Sequence, residues 1–323
     1  MREAALPPQW ACLTGKVLFV QQHTPTEWSS TCPECGGAVH PSGEWPDRCR
    51  LFADEHPTLF CRRCGLVAYP DQYGDKNYTP PTPQELERFR QERIAAEEAR
   101  KRSAERALAL LQDQRLWERY YLQAGKTGRE YWERRGIPGC WQDFWQLGYI
   151  EQREFYIDGA PYYTATATIP LFAQGAEVVN IKHRLIDPPR QGKDKYRYEI
   201  SGQPAPMFLC DPDKPVAGHV VAVEGEIKAA VTFARLDDPN VTMVGLPGVT
   251  PPPGVVSQLS QAERVTLVTD PGSQAETWRL CKQVGLSKTR VLIPPVKVDD
   301  MILASRLSRQ DVASLLSQAK PLV

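Results

Sequence analysis

Four cysteines stand in two pairs, Cys32-Pro33-Glu34-Cys35 and Cys61-Arg62-Arg63-Cys64. Each pair sets two thiolates on one tight turn, and two such turns face to face make the tetrahedral sulfur cage that Zn²⁺ prefers. Twenty-five residues separate the pairs, slightly more than the common ribbon spacing. Gly36-Gly37 and Gly65 follow the pairs, where glycine lets the backbone bend beneath a metal. The alternative is two disulfides, and the other cysteines argue against it. There are nine in all, and Cys12, Cys49, Cys140, Cys210 and Cys281 are scattered without a pairing pattern, as in a reducing compartment. Cys49 and His40 lie between the pairs as alternative ligands, but two intact pairs already fill four positions. A structural Zn²⁺ on Cys32, Cys35, Cys61 and Cys64 is the expectation.

A second set of candidates is acidic. In the C-terminal third, Glu224 closes an apolar run and Gly225 follows. Asp270 closes a later run, followed by Pro271-Gly272, and Asp299 and Asp300 follow the last. Carboxylates at successive strand ends converge on one rim, which suits Mg²⁺, a hard ion that takes oxygen ligands and shares them with phosphate. A single acid after a strand is often only a helix N-cap, and Asp270 precedes a helix. Three such positions, with glycines that allow close approach, point to a site.

The elements that position these residues alternate. Strands are expected at His219–Val223, Val241–Val244, Arg264–Thr269 and Arg290–Ile293, and helices at Glu226–Leu236, Val255–Ala262 and Ser273–Val284. This is a βα repeat around a buried, mainly parallel sheet, and such sheets bind ligands beyond the carboxyl ends of their strands. Upstream, Thr164–Phe172 and Glu177–Leu185 read as two strands turning at Gln174-Gly175. A basic stretch follows: Lys182, Arg184, Arg190, Lys193, Lys195 and Arg197, with Tyr196 and Tyr198 interleaved. Lys182 and Arg184 share one strand face. The pattern suits a surface that tracks phosphates, and equally a solvated edge hairpin protected by charge; composition does not choose. The aromatic cluster around Trp132, Trp141 and Trp145 reads as core.

The N-terminal region is short strands and turns, with strands at Lys16–Gln22, Leu59-Phe60 and Leu66–Tyr69. A stiff linker follows, Tyr78-Thr79-Pro80-Pro81-Thr82-Pro83. A helix then begins, with Thr82 and Glu85 as a capping box. Between Gln84 and Arg106 it carries seven basic and six acidic residues, the composition of a solvated spacer arm held by i,i+4 charge pairs. Further helix is expected through Leu108–Leu111 and Leu116–Leu122. Gly125-Lys126-Thr127 is not a phosphate-binding P-loop, because the required earlier glycine is Tyr120. The division is 1–76, a zinc ribbon; 77–125, linker and charged helix; 126–213, an α+β subdomain with the basic hairpin; and 214–323, the α/β domain.

The 323 residues suffice for two or three domains. Lys plus Arg equals Asp plus Glu, which excludes a globally basic nucleic-acid binder but not a local basic groove. No run reaches the length of a membrane span, and the N-terminus lacks the apolar core of a signal peptide. A soluble cytoplasmic protein without a membrane partner is expected.

The order of these parts resembles the bacterial and phage DNA primase family. Val223-Glu224-Gly225-Glu226-Ile227-Lys228-Ala229 resembles the first motif of the Toprim fold, Asp270-Pro271-Gly272 sits where that fold carries an Asp-x-Asp pair, and Lys297-Val298-Asp299-Asp300 resembles the later acidic motif. Arg135-Gly136-Ile137 with Leu147-Gly148-Tyr149 is similar to the lead-in of the primase core, Ile169–Arg184 to its strand pair, and Lys195-Tyr196-Arg197 to its basic stretch. The resemblance implies a zinc ribbon, a primase subdomain and a Toprim-like domain. It implies synthesis of short RNA primers on single-stranded DNA from ribonucleoside triphosphates, with a separate replicative helicase as partner. Glu224 would be a metal ligand or general base, and Asp270 with Asp299 or Asp300 would hold Mg²⁺ or Mn²⁺. Lys182, Arg184, Lys193, Lys195, Arg197 and Lys228 would bind template or triphosphate. Gly272 departs from the pattern, standing where the second Asp of the pair belongs. Glu276, one turn on, is a candidate substitute. A non-catalytic protein that binds single-stranded DNA is the competing expectation. A topoisomerase would need a large arch domain for which the chain is short.

Overall fold

A computed structural model describes residues 5–18, 20–35, 49–61, 64–73, 83–157, 159–189, 195–238 and 240–321. Lys193, Arg190, His40, the linker before Pro83 and Thr82 of the expected capping box lie outside these residues. The chain divides into two compact units, Met1–Glu97 and Glu98–Val323.

The first unit is built on a five-stranded antiparallel sheet in simple order, β1 Gln21–Thr24, β2 Glu27–Ser30, β3 Cys49–Phe52, β4 Thr58–Cys61 and β5 Val67–Ala68. The expected strand at Lys16–Gln22 is displaced: Thr14–Lys16 form a turn, and pairing begins at Gln21 opposite Ser29. The apolar residues Val17 and Val20 are buried all the same, because they close the core formed by Trp10, Leu13, Trp28, Leu51 and Leu59. Trp10 donates its indole N–H to the Phe52 carbonyl at 2.8 Å. The long helix α1 (Pro83–Asp113) begins in this unit. Its described residues up to Arg102 are exposed, with i,i+4 pairs such as Arg88–Glu92 and Arg102–Glu98.

In the second unit one face of the end of α1 is buried. Ala104 and Leu111 are buried against Phe172, Val178 and Ile181, as the shift to Ala and Leu after Arg106 requires. There follow α2 (Leu116–Leu122), α3 (Gly125–Arg134) and α4 (Gly139–Phe144), then β6 (Gly148–Ile157), β7 (Ala160–Phe172), β8 (Val178–Leu185) and β9 (Tyr196–Tyr198). The four strands form one antiparallel sheet in chain order. Next come β10 (Phe208–Leu209), β11 (His219–Glu224), α5 (Glu226–Leu236), β12 (Thr242–Leu246), α6 (Pro253–Leu259), β13 (Arg264–Val268), α7 (Gln274–Val284), β14 (Thr289–Leu292), α8 (Val298–Ala304), α9 (Arg309–Ser317) and β15 (Lys320–Pro321). Their sheet has the order β10-β12-β11-β13-β14-β15, with β12, β11, β13 and β14 mutually parallel and both edges antiparallel. β10 precedes residue 213 yet pairs with β12, so the sheet reaches back across the expected 213/214 division.

One core joins the two sheets of this unit. Trp132 and Trp145 are fully buried with Phe208, Val221, Val223 and Ala229. Trp145 donates to the Cys210 carbonyl at 2.9 Å and meets Phe208 edge-on. At Gly245 a Cβ would stand 2.8 Å from the Glu226 backbone, so only glycine lets α5 lie this close to β12. No helix among the described residues is long and apolar enough to cross a membrane.

A buried polar network holds the antiparallel sheet. His183 on β8 is fully buried, and its Nε2 meets Glu199 Oε2 at 2.8 Å. Arg153 on β6 reaches Glu199 Oε1 at 2.8 Å and also pairs with the Tyr120 hydroxyl. Burial pushes the Glu199 carboxyl up, but the bonds from His183 and Arg153 outweigh it and hold it at about 2. Burial also pushes His183 below its ordinary value of 6.5. Both groups bind fewer protons folded than unfolded, so their stabilisation is complete at neutral pH. It falls as pH drops below 6.5 for His183 and, for Glu199, from its ordinary 4.5 toward 2. Urea denaturation from pH 7 to pH 3 is expected to lose on the order of 2 kcal/mol through Glu199. Glu199→Gln should flatten that acid limb, and an unchanged limb would show that the network does not carry it.

Candidate active site

The parallel strands end where a cleft of about 300 Å³ opens. Glu224 is the last residue of β11, Asp270 follows β13 by two residues, and Asp299 and Asp300 lie in the first turn of α8 after β14. All four line the cleft, with Lys182, Arg184, Lys195 and Lys228. Eight of the residues expected from sequence are therefore gathered in one place. Arg197 is not: β9 pairs it with His183, while Lys182 and Arg184 pair with Tyr198 and Tyr196 on the alternate face. Glu276 is not at the cleft either, and it pairs with Arg279 on its own helix.

The chemistry of these side chains is more internally balanced than their types suggest. Lys182 is 4 % exposed and bonds the buried Glu226 at 2.6 Å, with its ammonium 4.4 Å from the Tyr196 ring centre. It is a neutralised floor to the cleft rather than a solvated cation of an edge hairpin. Arg184 donates to the Tyr196 hydroxyl at 2.7 Å. Burial pushes that hydroxyl up from its ordinary range, against the pull of Arg184, so it stays protonated. Lys195 is exposed. Lys228 is ion-paired with Asp270, and the Asp270 amide donates to Glu224 Oε2 at 3.0 Å.

Sequence reasoning missed Arg135, Glu226, Tyr196 and Lys297 as cleft residues. Arg135 caps the end of α3, and its Nη2 donates to Asp299 Oδ2 at 3.0 Å across 164 residues of chain. Asp299 is 3 % exposed, and its other oxygen is buried without a partner. An unpaired buried carboxylate is costly, so Arg135→Ala is expected to destabilise the chain by about 3 kcal/mol, the low end for a buried pair because Arg135 is partly exposed. Denaturant midpoints measure this. Adding Asp299→Asn should recover most of the loss, and a single variant as stable as the parent would show the pair to be dispensable.

In the first unit the four thiols of Cys32, Cys35, Cys61 and Cys64 lie within 4.8 Å of one another. Cys32–Cys64 and Cys35–Cys61 sulfur distances are both 3.8 Å. A tetrahedron with Zn–S bonds of about 2.3 Å has edges of about 3.8 Å, so the cage has the size for zinc. Sulfurs 3.8 Å apart are too far for a disulfide bond, and no cysteine is in a disulfide, which argues against the disulfide alternative. Cys49 stands opposite Cys61 on the neighbouring strand, and burial pushes its thiol up to about 12. It therefore stays a protonated neighbour. Among the described residues this is the one group of three or more potential ligands gathered so closely; the four carboxylates are not preassembled in that way.

No family model matches the sequence, and no curated protein does. Solved structures do. The zinc-binding and RNA polymerase domains of Aquifex aeolicus primase are similar over 97 % of this chain and 84 % of that one, with a TM-score of 0.52 at 14 % identity. A DnaG primase catalytic domain bound to single-stranded DNA covers 69 % of this chain and 83 % of its own, with a TM-score of 0.53 at 13 % identity. The E. coli primase catalytic core covers 67 % and 80 %, with a TM-score of 0.51 at 13 % identity. The chain is thus similar in fold to primase zinc-binding and polymerase domains, at 13–14 % sequence identity.

Proposed function

We propose that the chain is a DNA primase that synthesises short RNA primers on single-stranded DNA from ribonucleoside triphosphates. The observation that carries this is the cleft at the strand ends, where Glu224, Asp270, Asp299 and Asp300 meet Arg184, Lys195 and Lys228 within a primase-like fold. In that reaction the 3′ hydroxyl of the growing primer attacks the α-phosphorus of the incoming triphosphate. One P–O bond forms, the bond to the β-phosphate breaks, and pyrophosphate leaves. Glu224 takes the hydroxyl proton, and Arg184 and Lys195 hold the triphosphate by charge-assisted bonds.

The carboxylates fit a divalent ion: they offer hard oxygen donors, and Asp299 carries a buried oxygen that lacks a partner. Glu224, Asp299 and Asp300 would hold Mg²⁺ or Mn²⁺, with Asp270 beside them. A bound ion neutralises phosphate charge and orients in-line displacement. The α/β domain is read as Toprim-like, and the ribbon with its structural Zn²⁺ as the part that selects the start sequence. A separate helicase would supply template in the cytoplasm.

The test is a primer assay with single-stranded templates, labelled ribonucleotides and Mg²⁺ or Mn²⁺. Short ribonucleotide products are expected. No product with any template or metal, while single-stranded DNA still binds, would replace this reading with a non-catalytic replication protein.

A further inference from the structure

The acidic rim is partly neutralised by one of its own side chains. Lys228 lies in the first turn of α5, and its ammonium is ion-paired with Asp270 Oδ1. The two side chains are only 14 % and 24 % exposed. Gly225 makes room for this contact. Its φ is +94°, and a Cβ there would stand 3.0 Å from Lys228 Cε, so any larger residue would displace the ammonium. On the far side of Asp270, Gly272 is exposed, and no atom lies within 4 Å of where its Cβ would be. Nothing fills the place of a second carboxylate. Around Asp270 the balance is one carboxylate to one ammonium, and a divalent ion gains no net attraction there.

We propose that Lys228 is a built-in counter-cation that takes Asp270 out of the divalent-ion ligand set, leaving Glu224, Asp300 and the unpartnered Oδ1 of Asp299 to bind the ion. The use of that ion in phosphoryl transfer rests on the primase reading; the competition for Asp270 does not. Two cations at one partly buried carboxylate disfavour each other by more than about tenfold. The cleft without nucleotide therefore binds divalent metal weakly, and the remaining coordination is completed by substrate phosphates, as is usual for Mg²⁺.

Mn²⁺ binding without nucleotide, followed by the electron paramagnetic resonance of the free ion, tests this on the full chain. Lys228→Met and Lys228→Gln should bind Mn²⁺ at least about tenfold more tightly than the parent. The double variant Lys228→Met/Asp270→Asn removes both charges together and is expected to bind within about threefold of the parent, since the pair contributes no net attraction. Single variants that bind no more tightly would show that Lys228 does not compete with the ion, and a double variant about tenfold weaker would show Asp270 to be a ligand; either result overturns the proposal. If the single variants fail to fold, the double variant leaves no unpaired charge and decides alone. Absence of primers from the parent, with these shifts intact, would count against the primase reading and not against the competition.

Discussion

Glu224→Gln is expected to slow primer synthesis by about 10²- to 10⁴-fold, the range for loss of a positioned general base. The substitution keeps size and shape. The Gln carbonyl oxygen can still accept the Asp270 amide that Glu224 Oε2 accepts at 3.0 Å, so the turn between β13 and α7 keeps its anchor. What is lost is the negative charge at the mouth of the parallel sheet, where a proton or a divalent ion must be held. The denaturant midpoint should therefore stay within about 0.5 kcal/mol of the parent, as for changes without a cavity or a lost cap. Glu276→Gln is the control. Glu276 is an acid near Asp270 in sequence, but it pairs with Arg279 on its own helix and does not line the cleft. Its primer yield should match the parent's. A Glu224→Gln chain that makes primers within about threefold of the parent would place the chemistry elsewhere.

The difference between Glu224 and Glu276 also marks what the sequence could and could not reveal. Strand ends were legible because the parallel strands are short apolar runs bounded by Gly, Pro and acids. Val220–Val223 and Val265–Val268 fall in β11 and β13, and the carboxylates that follow them do meet. Partnership was not legible. The charge of Lys182 is plain in the sequence, but the residue that neutralises it is Glu226, 44 positions away. Arg135 and Asp299 are 164 positions apart. Nor was β6 legible: Gly148–Ile157 includes Glu151, Arg153 and Glu154, and this charged run pairs with β7 with much of its length exposed. Its alternation is weak because Arg153 serves the buried Glu199 rather than solvent. The basic hairpin illustrates the same limit. Alternation put Lys182 and Arg184 on one face, and the register of β9 then decides that Arg197 belongs to the other.

Stripping zinc is expected to unfold the first unit while the parallel sheet of the second persists. The strands of the ribbon are two to four residues long, and its apolar core amounts to Trp10, Trp28, three leucines, two valines, Ala68 and the cysteines themselves. A sheet this small does not bury enough apolar surface to offset the entropy of ordering its backbone. A structural zinc contributes apparent binding energy of roughly 10–16 kcal/mol at neutral pH, as large as the whole stability of a typical domain. Its removal leaves Cys32, Cys35, Cys61 and Cys64, which come from the loop after β2 and from the end of β4 and the turn beyond it, with no common metal ion. Hydrogen exchange after chelation should show β2–β4 unprotected and β11–β14 still protected, with about one zinc released per chain. Cys61→Ser should give the same pattern without chelator, since Cys61 is fully buried and a serine hydroxyl is a poor substitute for a zinc-bound thiolate. Protection that survives in β2–β4 once metal analysis shows the zinc gone would mean that the packing of Trp10 and Trp28, with the 2.8 Å bond from Trp10 to Phe52, suffices to hold the ribbon. The cysteines would then be a ligand set on a fold that does not depend on them.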